Sequence, residues 1–165
     1  MSFSITAINQ LVQMNFVNLL GPIFEETPAI AEQVWTERPF ENMEELHKKM
    51  VAIVKQMSLS QQLDLINAHP ELGSKKRMAD ASVQEQTSIG LNQISPSERQ
   101  QIDSLNSQYR EKFGFPFVMA VKGQTLDQVI IEFSNRLKSP KDTEIKRAIA
   151  EISKIARLRL EELVD

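Results

Sequence analysis

His69 is one of only two histidines in 165 residues, and it stands directly before a proline in Ile66-Asn67-Ala68-His69-Pro70-Glu71-Leu72-Gly73. Proline disfavours the α region for the residue before it, so a helix through Leu63 to Asn67 is expected to stop near His69. The imidazole then sits at a helix exit, on backbone that cannot relax into another turn. A ring that titrates near neutral pH on a fixed support suits general acid–base work. A histidine in that place also serves as a cap on the last helical carbonyls. The residue types alone leave both uses open.

Ser82-Val83-Gln84-Glu85-Gln86 fits a capping box, with Ser82 accepting from the helix and Glu85 reaching back. The alternative sets Glu85 and Gln86 at a helix N-terminus, where free amides and the helix dipole favour anions, facing a cleft shared with His69. A carboxylate beside a histidine would orient the ring and raise its pKa.

Arg159 is unusual in its placement. At about 100° per residue it falls within the apolar stripe of Ile152, Ala156 and Leu163, while Arg157 points well away. An arginine on a buried face needs a counter-charge. Either it pairs with an internal carboxylate, or its planar fork binds an anionic ligand.

Other candidates carry less. His47, beside the apolar Leu46 in a charged stretch, is expected to meet solvent. Lys75-Lys76-Arg77 reads as a solvated loop. No histidine or carboxylate cluster has metal-ligand spacing, and there is neither a Gly-rich phosphate loop nor a Gly-x-Ser-x-Gly elbow.

The elements that must position these residues read as helices. Ser95-Pro96-Ser97-Glu98 combines a capping box with proline where a missing N–H costs nothing, and that helix should end at Gly114. Asn42 and Thr125 open two more, the latter burying Leu126, Val129, Ile130, Phe133 and Leu137. A last helix should run from near Asp142 to about Leu163. Shorter ones fit Ile8/Leu11/Val12, Phe16/Leu19/Leu20 and Thr27 to Trp35. Phe115 to Val121 is the only strand-like run, and its internal proline argues for an extended segment laid against helices. The expectation is all-α: one compact domain over residues 1–165, of about eight helices with one extended segment near 115–121.

Composition agrees: 41% hydrophobic and 25% charged residues is ordinary for a globular chain. A net charge of -3 gives no field to draw nucleic acid or anionic membrane. Without cysteine there is no disulfide, thiolate ligand or thiol nucleophile. No apolar run approaches a membrane span, the first basic residue is Arg38, and Leu163-Val164-Asp165 is not a peroxisomal address. A cytoplasmic location is expected.

Taken in order, His69-Pro70-Glu71-Leu72-Gly73, Ser82-x-x-Glu85-Gln86 leading to Gly90-Leu91, Leu105-Asn106-x-x-Tyr109-x-x-Lys112-Phe113-Gly114-Phe115-Pro116-Phe117-Val118, and Leu158-Arg159-Leu160 form a pattern. It resembles that of the 2-oxo-4-hydroxy-4-carboxy-5-ureidoimidazoline (OHCU) decarboxylases over nearly the whole chain. Trp35 to Phe40 fits the same family's N-terminal part. Ile89 departs from it, standing where the family usually has a small residue before Gly90-Leu91.

The resemblance implies an all-helical homodimeric carboxy-lyase that uses neither metal nor organic cofactor and completes urate oxidation by forming (S)-allantoin. It implies His69 as base on the substrate hydroxyl, with Glu85 orienting it. Ser82 and Gln86 would bind the ring or ureido edge, with Pro70 beside the substrate, and Arg159 would bind the carboxylate or carbonyl oxygens. Backbone groups of Phe117, Val118, Met119 and Ala120 would contact the planar ring. The competing reading is a non-enzymatic module binding a partner helix in an apolar groove. Polar residues at helix termini and on an apolar stripe, which a groove does not need, speak against it.

Overall fold

A computed structural model describes residues 1–74 and 80–165, so the Lys75-Lys76-Arg77 run lies outside the described residues. Those residues form nine α-helices: α1 (Ile5–Gln10), α2 (Gln13–Leu20), α3 (Ala29–Trp35), α4 (Met43–Gln56), α5 (Leu59–Ala68), α6 (Asp80–Ser88), α7 (Pro96–Phe113), α8 (Leu126–Arg136) and α9 (Lys141–Leu163). The all-helical expectation holds. The only β pairing among the described residues is an isolated parallel bridge between Phe3 and Val164. None of their helices is long and apolar enough to cross a membrane.

Capping chemistry sets several boundaries where it was expected. Ser95 and Glu98 close a full box at the start of α7, and Gly114 ends that helix at φ 80°. The bond from the Ser95 N–H holds the Glu98 carboxyl below the ordinary carboxylate range. Thr125 and Gln128 close a second box at α8, and the Asn42 side chain caps α4. Ser82 does not stand ahead of its helix as an N-cap would, because it already lies within α6. Val12 also departs from its expected stripe: it is 61% exposed, in the link between α1 and α2.

The chain divides into two compact units, one of Met1–Ala68 with Ser153–Asp165 and one of His69–Ile152. The first holds α1 to α5 and the last turns of α9. Its core is aliphatic, built on Leu20, Ile30, Val34, Leu46, Met50, Val54 and Leu160, with Phe16 stacked near Phe40. His47 does not simply meet solvent. Its Nε2 lies 2.8 Å from the Ser153 carbonyl, which can only accept, so that nitrogen carries the proton.

The second unit is organised around an aromatic cluster. The Tyr109 ring sits 4.5 to 5.9 Å from those of Phe113, Phe115, Phe117 and Phe133. Residues 115–121 belong to no helix and pair with no strand among the described residues, with Phe115, Phe117, Val118 and Val121 buried. On α8 the buried face is Val129, Phe133 and Arg136 rather than Leu137, which is only half-buried. Arg136 follows Phe133 by three residues, so helical geometry points it inward, and a partner makes that tolerable.

Candidate active site

Proline does at position 70 what the sequence reading required of it. α5 ends at Ala68, His69 follows it, and the imidazole is buried at 7% exposure. The next residues form a turn closed by the Ser74 N–H on the Glu71 carbonyl at 3.1 Å, with Gly73 in the left-handed region at φ 67°.

Side chains from two helices hold that turn by its backbone. Gln86 of α6 accepts from the Gly73 N–H at 2.9 Å and donates to the Glu71 carbonyl at 3.4 Å. Asn106 of α7 donates to the Leu72 carbonyl at 2.9 Å, and Arg99 donates to the Gly73 carbonyl. Arg110 pairs with the Glu71 side chain at 2.6 Å, half in solvent. Beyond the Ser74–Glu71 bond, the turn's polar backbone groups take side-chain partners.

Gly73 is required twice over. Its φ suits glycine, and a Cβ there would stand 2.6 Å from Arg99 Nη1, the atom that grips the Gly73 carbonyl. Gly73→Ala should therefore cost about 1–2 kcal/mol in left-handed strain, with the Arg99 bond lost as well. Chemical denaturation of the variant checks this. An unchanged midpoint would show that the turn relaxes freely.

Ser82 and Gln86 lie one helical turn apart on α6 and are both buried, while Glu85 beside them is half-buried. Glu85 stands mid-helix rather than at the N-terminus. Gln86 is joined directly to the turn after His69. An amide with two hydrogens and two lone pairs has capacity beyond those two bonds.

The extended segment is gripped as well. Arg136, 4% exposed, donates from Nη1 to the Val118 carbonyl at 2.7 Å and from Nε to Glu144 at 2.8 Å. Its guanidinium lies 4.3 Å over the Phe117 ring, which stacks on Phe133 at 3.9 Å. The Tyr109 hydroxyl donates to the same Glu144 oxygen at 2.6 Å. Burial, then that carboxylate, push the phenol well above its usual range, so it stays protonated as a donor. Glu151 accepts from the Ala120 N–H at 3.3 Å.

Arg159 belongs to the other unit. There its Nη2 meets Glu25 at 3.1 Å, and Nη1 donates to the Pro22 and Ile23 carbonyls at 3.3 Å each. Both side chains are nearly fully buried. Sequence reasoning did not find Glu25, Arg136, Glu144 or Glu151, and gave Asn106 no role beyond its place in the family pattern. For Asn106 a signal existed, since it falls among the stripe positions Ile102, Leu105, Tyr109 and Phe113. An open cavity of about 530 Å³ is lined by Glu71, Asp103, Asn106, Ser107, Arg110 and Glu111. Three carboxylates against one guanidinium make it a poor receptor for an anionic molecule. Among the described residues no group of carboxylates and histidines could hold a metal ion.

Comparison with known proteins bears directly on this arrangement. The family model described as OHCU decarboxylase matches residues 9–161. The OHCU decarboxylase of Haloferax volcanii is 41% identical over 155 residues, covering 94% of this chain and 92% of the relative. The uric acid degradation bifunctional protein PucL of Bacillus subtilis is 41% identical over 162 residues, but the chain spans only 33% of its length. Among solved structures, (S)-allantoin synthase aligns with a TM-score of 0.82 at 26% identity, over 99% of this chain and 55% of that one. An OHCU decarboxylase crystallised in the presence of (S)-allantoin aligns at 0.69 and 25% identity, over 81% and 89%.

Proposed function

The chain belongs to the OHCU decarboxylase family, and from that premise we propose that it converts OHCU to (S)-allantoin and CO2. The family match across residues 9–161 carries the reading. The buried histidine at a helix exit, on a turn fixed by three other side chains, supports it.

The substrate carries a carboxylate and a hydroxyl on one ring carbon, next to a C=N bond. When the bond to CO2 breaks, its electron pair forms a double bond to the neighbouring carbon. The C=N pair moves onto nitrogen, which takes a proton. The hydroxyl then gives up its proton as its oxygen becomes a carbonyl, and the neighbouring carbon is protonated on one face. The substrate is its own electron sink, so the protein's tasks are to hold the carboxylate, take the hydroxyl proton and control the face of protonation.

In this reading His69 takes the hydroxyl proton and Glu85 orients the ring. Ser82 and Gln86 meet the ring or ureido edge, with Pro70 beside it. Backbone of Phe117 to Ala120 meets the planar face, held in place by Arg136 and Glu151. Arg159 binds the carboxylate or carbonyl oxygens, oriented by Glu25. Homodimeric assembly and a cytoplasmic location complete the proposal, with light scattering and cell fractionation as their tests.

Freshly generated OHCU followed by ultraviolet absorbance, with circular dichroism for the stereochemistry of the product, tests the function. The compound also decays spontaneously, so the protein must exceed that rate and give one enantiomer. Equal decay with and without protein would refute it. Repeated after prolonged treatment with EDTA, the rate should be unchanged, because no His or carboxylate cluster in the sequence has metal-ligand spacing. A loss restored by a divalent ion would overturn the cofactor-free assignment.

A further inference from the structure

We infer that Asn106 is a positioning residue for the proposed base, His69, acting through the Leu72 carbonyl; this rests on the role given to His69 above. Asn106 is 8% exposed, and its Nδ2 donates to Leu72 at 2.9 Å. Its other amide atom, Oδ1, is buried with no hydrogen-bond partner among the described residues.

Stability alone does not single out asparagine here. Asparagine is a poorer helix former than leucine, and position 106 lies inside an 18-residue helix. Leucine would extend the apolar face of Ile102, Leu105, Tyr109 and Phe113 and remove a buried orphan acceptor, in exchange for leaving the Leu72 carbonyl without its Asn106 donor. A polar residue kept where an apolar one fits, at the cost of an unsatisfied atom, marks a position selected for geometry.

The geometry in question is the turn. The Leu72 carbonyl lies three residues beyond His69 and takes its side-chain donor from Asn106, while Gln86 holds the N–H of the same peptide unit and Arg99 the carbonyl of the next. With Pro70 fixing the backbone between them, a shift at Leu72 is passed to the imidazole rather than absorbed. A base displaced by a fraction of an ångström slows proton transfer without weakening substrate binding.

Two variants test this, both assayed for decarboxylation and thermal stability. Asn106→Leu removes the donor and the orphan acceptor. Asn106→Asp keeps the shape and replaces the donor with a group that repels the carbonyl. Asn106→Leu trades one unsatisfied acceptor for another and should melt near the wild-type temperature, yet both variants should lose about 10- to 100-fold in kcat with KM nearly unchanged. Wild-type kcat in either folded variant overturns the inference, as does a loss that only follows the unfolded fraction. His69→Gln, measured alongside, separates the two failures. An inactive His69→Gln beside a fully active Asn106→Leu removes the positioning role alone. A fully active His69→Gln removes the mechanistic reading and this role together.

Discussion

His69→Gln should lose turnover on the order of 10²- to 10⁴-fold while substrate affinity changes little. Glutamine keeps much of the volume and hydrogen-bonding reach of the ring but has no nitrogen that takes a proton near neutral pH. The site is well suited to exposing that difference. The ring is buried, it follows the last residue of α5 directly, and its turn is secured on Glu71, Leu72 and Gly73. The turn after it is held independently of the ring, so the substitution should leave that backbone in place. On the proposed roles, the wild-type rate should fall on the acid side, where a protonated ring cannot accept the hydroxyl proton, and Glu85→Gln, which removes the charge proposed to orient the ring, should displace that limb. A histidine that merely capped α5 predicts near-normal turnover and a small loss of stability. Wild-type turnover in folded His69→Gln would end the proposal.

Arg159→Ala should have the largest effect on stability, about 3–5 kcal/mol. The Arg159–Glu25 pair is buried on both sides, and the guanidinium also closes the Pro22 and Ile23 carbonyls. Alanine leaves a carboxylate and two carbonyls without their donor in a water-poor place. Removing both charges, as in Arg159→Met with Glu25→Met, should recover most of the loss, since a buried pair is often replaceable by apolar residues of similar volume. That double variant also tests the catalytic role. If it folds like wild type and decarboxylates like wild type, Arg159 is structural alone; if it folds and has lost the carboxylate-binding step, the role in the site stands. Arg157→Ala is the control. Arg157 pairs with Glu44 and Glu161 at 41% exposure, where ion pairs contribute little, and both stability and rate should hold.

The parts of this fold that were legible in the sequence are those set by local chemistry. Ser95, Thr125 and Asn42 marked helix starts because capping is a short-range bargain between a side chain and amides two or three residues on. Pro70 marked the exit of α5 for an equally local reason. Ser82 shows the limit: it matched a capping box by spacing, but α6 had begun two residues earlier, and a pattern match does not compete with a turn already formed. Arg159 was legible as buried from periodicity, yet its partner Glu25 lies 134 residues away, a separation at which no sequence pattern operates. Arg136 and Glu144 were invisible because hydropathy reads each as surface. They are buried because each is the other's solvent.

The inner face of α9 carries Glu144, Glu151 and Arg159, and their partners fix an order in which that face can be buried. Glu144 meets Arg136, 8 residues away; Glu151 meets the Ala120 amide, 31 away; Arg159 meets Glu25, 134 away. Each charge is costly to bury until its partner is present, and the entropy of closing the intervening chain rises with separation. A chain emerging from the ribosome thus has Arg136 and Ala120 already made when the first turns of α9 appear. Its last turns must instead find an element 134 residues earlier in the chain. Their docking is a long-range step that depends on the first quarter of the chain having folded and stayed folded. Lesions in the Pro22–Glu25 stretch should therefore show first as slow or incomplete maturation of the C-terminus, far from where they lie.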